Sequence, residues 1–204
     1  MKKTQYVGKG IVIGLLVLLL EASVFLPATA RFLPDPDLSF VELTNTNAPG
    51  MNTCPAGDGF IYHYLKVTVK TSTGEPMINL NANSFQFIIT AVSGTVYHGT
   101  LSCTFTAVDA VTNANGEIRF EIQADTSIVG NINIVVKVLG IQINDMDTLS
   151  CKSVDYDVNG MVSLGDFTVF GADYTTTAWR SDFNWDGQVS LADFTVFGQH
   201  YTHT

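Results

Sequence analysis

The chain has 204 residues, only 14% of them charged, and a formal net charge of −9. That length suits one or two small domains rather than a large enzyme. An acidic chain offers no basic patch for the phosphates of nucleic acid, whereas it is compatible with binding hard cations.

Residues 1–30 read as a secretory signal. Lys2, Lys3 and Lys9 make a basic start, Ile11 to Leu20 is an apolar run broken only by Gly14, and Ala28-Thr29-Ala30 offers small residues for cleavage. A permanent anchor needs about 20 apolar residues, and this run is shorter. Arg31 is therefore expected to begin a secreted, extracellular or cell-surface protein with no membrane attachment after cleavage. Residues 31–37, RFLPDPD, form a proline-punctuated lead-in.

From residue 38 to 152 the pattern is strand after strand. Leu65, Val67 and Val69 alternate with Lys66, Thr68 and Lys70, and Ile118, Phe120 and Ile122 alternate with Glu117, Arg119 and Glu121. This period of two marks strands with one wet face. Ile132, Ile134, Val136 and Val138 continue it, and further strands are expected near 38–45, 84–92, 97–107 and 141–149. The breaks carry turn residues: Thr73-Gly74-Glu75-Pro76, Ser93-Gly94 and Asn113-Ala114-Asn115-Gly116. About seven short strands so spaced predict a mainly β fold, an immunoglobulin-like β-sandwich.

In an oxidising compartment the simplest arithmetic for Cys54, Cys103 and Cys151 is one disulfide and one thiol, with Cys54–Cys151 the favoured pair. The alternative is three thiols, with Cys103 a buried small hydrophobe. The stretches LKVTVKTSTGEPM, TNANGEIRFEI and INIVVKVLG resemble bacterial immunoglobulin-like domains of the invasin/intimin group over residues 60–140. That resemblance implies a rigid extracellular spacer or adhesive module and no catalytic residues.

Residues 153–204 say one thing twice: DYDVNGMVSLGDFTVFGADY, then DFNWDGQVSLADFTVFGQHY. In the first copy Asp155, Asp157 and Asn159 fall at positions 1, 3 and 5 of a twelve-residue loop, Gly160 at 6, Met161 at 7, Ser163 at 9 and Asp166 at 12. The second copy places Asp182, Asn184, Asp186, Gly187, Gln188, Ser190 and Asp193 at the same positions. Such a loop can wrap Ca²⁺ with side-chain oxygens from 1, 3, 5 and 12 and a main-chain carbonyl from 7, serine acting directly or through water. Two calcium ions are expected, one per loop. Magnesium is disfavoured because its tight octahedron rarely uses an all-protein cage. Val162 and Val189, apolar and β-branched at position 8, suit back-to-back pairing of the loops.

A helix should follow each loop, because Phe167, Phe170 and Tyr174 share one stripe and Phe194, Phe197 and Tyr201 repeat it. The two stripes are expected to pack together as a small core. Residues 175–181, TTTAWRS, read as a linker, so each unit is a loop then a helix. This duplicated arrangement resembles a type I dockerin over the full length of both loops. The resemblance implies a module folded by calcium, with a helix face that docks a cohesin-like or other surface protein domain, and with either helix able to serve. Cellulosomal dockerins carry a Ser/Thr pair late in the loop and a basic pair in mid-helix. This chain has Leu164-Gly165 and Leu191-Ala192, then Gly171-Ala172 and Gly198-Gln199.

The acids of the strand region are sparse, and Glu117 and Glu121 sit on a wet strand face, where they favour solubility over catalysis. His63 and His98 have no nucleophile motif beside them, and no G-x-S-x-G occurs. The expected function is a secreted, non-catalytic protein with a calcium-dependent docking module. The alternative is a carbohydrate-binding accessory of polysaccharide degradation, with Tyr62, Tyr64 and Tyr97 as the aromatics that would meet sugar. Trp179 and Trp185 are candidates for contact between modules or with a partner.

Overall fold

The computed structural model describes residues 33–44, 50–55, 63–143 and 146–204. The stretch expected to be a signal segment, its expected cleavage site, Arg31 and Tyr62 lie outside them. In chain order the strands are β1 (Phe40–Leu43), β2 (Gly50–Thr53), β3 (His63–Thr68), β4 (Phe85–Ala91), β5 (Val96–Tyr97), β6 (Cys103–Ala107), β7 (Glu117–Ala124), β8 (Ile128–Val138), β9 (Ile141–Gln142) and β10 (Met146–Ser153). Two helices follow, α1 (Leu164–Asp173) and α2 (Leu191–Gln199), with a 3₁₀ turn at Trp179–Ser181 between them.

The strands form two sheets. One runs β1-β3-β7-β6, all antiparallel; the other runs β2-β10-β8-β4, with β5 and β9 also on β8. The alternation read in the sequence decides which faces meet. Leu65, Val67, Ile118, Phe120 and Ile122 of the first sheet share one buried cluster with Phe85, Ile132, Ile134, Val136 and Leu149 of the second. Each such side chain stabilises the fold by about 1.5–3 kcal/mol on burial. Phe87 stacks on Phe105 with ring centroids 4.2 Å apart, closing the core between β4 and β6. The fold is thus mainly β, a two-sheet sandwich of the kind expected.

Two strand expectations change, and one strand was not expected. The stretch 97–107 is broken into the end of β5 and β6, because Gly99 turns there with φ +64°. The stretch 141–149 likewise divides between β9 and β10. β2, with the sequence GMNT, has no alternation to announce it, yet it pairs parallel with the end of β10, Ser150 opposite Gly50 and Ser153 opposite Thr53. The Thr53 hydroxyl accepts from Ile128 N at 2.8 Å and bonds Ile128 O at 3.0 Å, tying β2 to the start of β8. The expected Cys54–Cys151 disulfide does not form, and all three cysteines are thiols. Cys151 lies in the sandwich core, whereas Cys54 packs with the C-terminal helices. Cys103 is only half-buried, and burial pushes its thiol up to about 12.

The C-terminal segment has a core of its own: Val154, Val162, Phe170, Phe183, Val189 and Phe197, closed by Cys54. The aromatic stripes do meet, with Phe170 and Phe197 at 5.2 Å, but only these two are buried. Phe167, Tyr174, Phe194 and Tyr201 keep between 39% and 41% of their surface. The backbones of Val162 and Val189 do not pair with each other as expected. Val162 exchanges hydrogen bonds with Thr202 and His203 beyond α2, and Val189 with Thr175 and Thr176 beyond α1. Each loop is thereby strapped to the exit of the other unit's helix.

The segment is also joined closely to the sandwich. Lys152 on β10 is fully buried, donates to the carbonyl of Asp182 and lies 3.5 Å from the Trp185 ring centroid and 5.1 Å from that of Trp179. Asn52 on β2 donates to the carbonyl of Phe183 at 2.7 Å. A Cβ at Gly50 would strike the Trp185 ring at 2.4 Å, so glycine is needed for this close approach.

Candidate metal centre

Each loop begins at a buried aspartate. Asp155 follows β10 and Asp182 follows the 3₁₀ turn, and both are buried. Glycine at position 6 turns the chain back, with φ +88° at Gly160 and +89° at Gly187. The residues two before them, Val158 at +55° and Trp185 at +63°, are also left-handed. The loops are therefore near copies in backbone as well as in sequence.

Main-chain N–H groups aim the oxygens inward. Asp155 accepts from Asn159 N at 3.1 Å and Gly160 N at 2.9 Å; Asp182 accepts from Asp186 N and Gly187 N, both at 3.1 Å. Asn159 Oδ1 accepts from Met161 N, and Asp186 Oδ1 from Gln188 N, each at 2.9 Å. Asp157 bonds Asn159 Nδ2, and Asn184 Nδ2 reaches Asp186, each at 2.8 Å. Met161 and Gln188 leave exposed side chains at position 7, where only the carbonyl is needed.

Position 12 has two roles. Asp166 and Asp193 are the third residues of α1 and α2 and close capping boxes with Ser163 and Ser190. Each also accepts from the start of its loop, Asp166 from Tyr156 N at position 2 (2.7 Å) and Asp193 from Asn184 N at position 3 (2.9 Å). The carboxylate that starts the helix thus pins both ends of the loop. The Oδ1 atoms of Asp155, Asp166, Asp182 and Asp193 each accept one of these bonds and so keep a lone pair for a cation.

In the first loop Asp155, Asp157 and Asp166 each present an oxygen within 4.8 Å of the others. Oxygens bound to Ca²⁺ at about 2.4 Å span at most that distance, so one ion reaches all three. Burial pushes the Asp155 carboxyl upward despite bonds from Ser127, Gly160 and Asn159, so a neighbouring cation would relieve the cost of its charge. Among the described residues the three acids of the second loop do not meet within the same span, and there the Lys152 ammonium lies 3.8 Å from Asp182 Oδ2. The hard-oxygen donor set suits calcium in both.

Two supporting residues were invisible to motif reading. Ser127 at the start of β8 donates to Asp155 Oδ2 at 2.8 Å, and Lys152 touches Asp182. Only the folded strands bring them there. Asp173 at the end of α1 is fixed by Arg180 at 2.7 and 2.9 Å and by Ser181, and the Arg180 bonds hold its carboxyl below the usual range.

The α1–α2 face differs from the rest of the surface. Phe167, Phe170, Gly171, Tyr174, Leu191 and Phe194 line a groove of about 370 Å³. Leu164 and Leu191 beside it are 67% and 66% exposed. Of the aromatics suggested for sugar binding, the two among the described residues lie in different sheets: Tyr97 is exposed on the short β5, and Tyr64 is half-buried on β3. Glu117 accepts from Asn113 and Asn115 and pairs with Lys66, which holds its carboxyl below the usual range.

No family model matches the chain, and no curated protein matches it. Among solved structures, the crystal structure of the Lin-41 filamin domain aligns at 16% identity and a TM-score of 0.35, covering 58% of this chain and 96% of that one.

Proposed function

We propose that this is a secreted, non-catalytic protein whose C-terminal segment is a dockerin-like module, folded around two calcium ions and docking onto a protein domain in extracellular or cell-surface assembly. The observation that carries the calcium reading is the meeting of Asp155, Asp157 and Asp166 within 4.8 Å on a frame of main-chain N–H bonds, in a loop whose backbone the second copy repeats. A segment of about fifty residues buries too little apolar surface to hold itself comfortably, so metal binding adds directly to folding. The docking reading is supported by the uncovered apolar groove across α1 and α2 and by the half-exposed aromatics beside it.

Isothermal calorimetry of the secreted chain should give two calcium ions per molecule. Asp155→Ala and Asp182→Ala should each remove one. Chelation should abolish the helical circular dichroism signal while the β signal persists. No calcium binding at millimolar concentration, or a helical signal indifferent to chelation, overturns the metal reading. Capture of a partner from surface fractions that survives Leu164→Arg with Leu191→Arg overturns the docking face.

A further inference from the structure

A second convergence of ligating atoms lies at the far end of α2, and it is chemically unlike the oxygen loops. His200 caps α2, and His203 follows in the terminal turn. Cys54 arrives from the end of β2, 149 residues away from His203 in sequence. Cys54 Sγ is 3.9 Å from His203 Nδ1, and His200 Nδ1 is 3.4 Å from His203 Nδ1. One ligating atom from each of the three lies within 4.8 Å of the others. Cys54 is 1% exposed, His200 6%, and His203 half-buried.

The two separations at His203 are close to those of ligands around one tetrahedral ion. Zinc bonds of about 2.3 Å to sulfur and about 2.05 Å to nitrogen place S and N about 3.6 Å apart and two N atoms about 3.3 Å apart. The three side chains are brought together by other parts of the fold. Thr202 N donates to Val162 O and Val162 N to His203 O, each at 2.9 Å, and Thr202 is left-handed at φ +72°. Cys54 is fixed by the pairing of β2 with β10 and by packing in the helical core. One thiolate and two imidazoles are a borderline-soft set that selects zinc over calcium or magnesium.

We propose that Cys54, His200 and His203 bind one Zn²⁺, with a fourth position open to water on the half-buried side of His203. The ion ties His200 and His203 to the end of β2, an edge strand of its sheet. This site stands independently of the calcium reading, because it shares no ligand with either loop.

The test uses the untagged secreted chain, stripped of metal and returned to saturating calcium so that oxygen ligands are engaged. Zinc is then titrated against a chromophoric competitor, and Co²⁺ is substituted in parallel. The expected result is one zinc per chain with a sub-micromolar Kd, and a thiolate-to-cobalt charge-transfer band with the visible spectrum of a tetrahedral site. Loss of even an outer-shell partner costs tenfold to a hundredfold in metal affinity, so Cys54→Ser should abolish the band and His203→Gln should weaken zinc binding about a hundredfold or more. Circular dichroism and calcium stoichiometry establish that each variant is folded. A wild-type chain that gives no band and retains no zinc overturns the proposal, leaving a hydrogen-bonded thiol–imidazole cluster. Equal zinc binding by the two folded variants overturns it as well. The wild-type cobalt spectrum decides the matter even if a variant fails to fold.

Discussion

Gly160 and Gly187 hold the same loop position with the same left-handed backbone, yet their surroundings differ. A Cβ at Gly160 would lie 2.7 Å from His98 Nε2, whereas one at Gly187 would meet nothing within 4 Å. Gly187→Ala should therefore cost only backbone strain, about 1 kcal/mol, and Gly160→Ala more, because the His98 ring must also move off its contact with Val158 O. Adding His98→Ala should make the two costs equal, measured by urea unfolding. His63 gives a second prediction at this scale. It is 1% exposed, neither ring nitrogen has a hydrogen-bond partner among the described residues, and burial pushes it down to about 4. As pH falls from about 6.5 towards about 4, the unfolded chain takes a proton that the native one refuses, so stability drops progressively, by at most about 3 kcal/mol. His63→Leu should remove that part of the loss, seen as a smaller fall in the urea midpoint between pH 7 and pH 4.5. The sequence names His63 as a histidine without a catalytic neighbour; its burial follows from its place on β3, opposite Ile122 of β7 and on the same face as the core residues Leu65 and Val67.

At the scale of elements, what could be read from the chain is what is local. The alternation of 65–69, 117–122 and 132–138 gives β3, β7 and β8 because one wet face leaves a period of two on the page. The aromatic spacing gives both helices, whereas Ser163 and Ser190, read only as position 9 of the loops, also close the capping boxes that start them. β2 was not legible: nothing in GMNT favours a strand, and its geometry comes from β10, about a hundred residues later. For the same reason the straps on Val162 and Val189 were misjudged. Position 8 is apolar in both loops, which shows that it is buried but not which backbone it meets. The aromatic stripes show the same limit. Spacing puts three rings on one face of each helix, yet the pairing of α1 with α2 covers chiefly Phe170 and Phe197 and leaves the others half-exposed.

The whole molecule joins at Lys152, which no motif marks. Its ammonium lies against the Trp185 ring, near that of Trp179, and beside a carboxylate proposed to hold calcium. Burial lowers this ammonium to about 8, so it is still largely charged at neutral pH, and a positive charge so near a divalent cation weakens its binding. Lys152→Met keeps the apolar stem and removes the charge, so calcium affinity of the second loop should rise about tenfold, measured by calorimetry. The carbonyl of Asp182 loses its donor in the same variant, so the melting temperature of the calcium-free protein should fall. The two straps carry a further consequence. Because each turn is closed by residues lying just beyond the other unit's helix, neither can be ordered in isolation. An ion entering one site prepays part of the ordering required at its twin, and by reciprocity the second returns the favour. Titrations should then rise with a Hill slope steeper than unity, and Val162→Pro, which deletes one rung of the exchange, should flatten that slope towards independent binding.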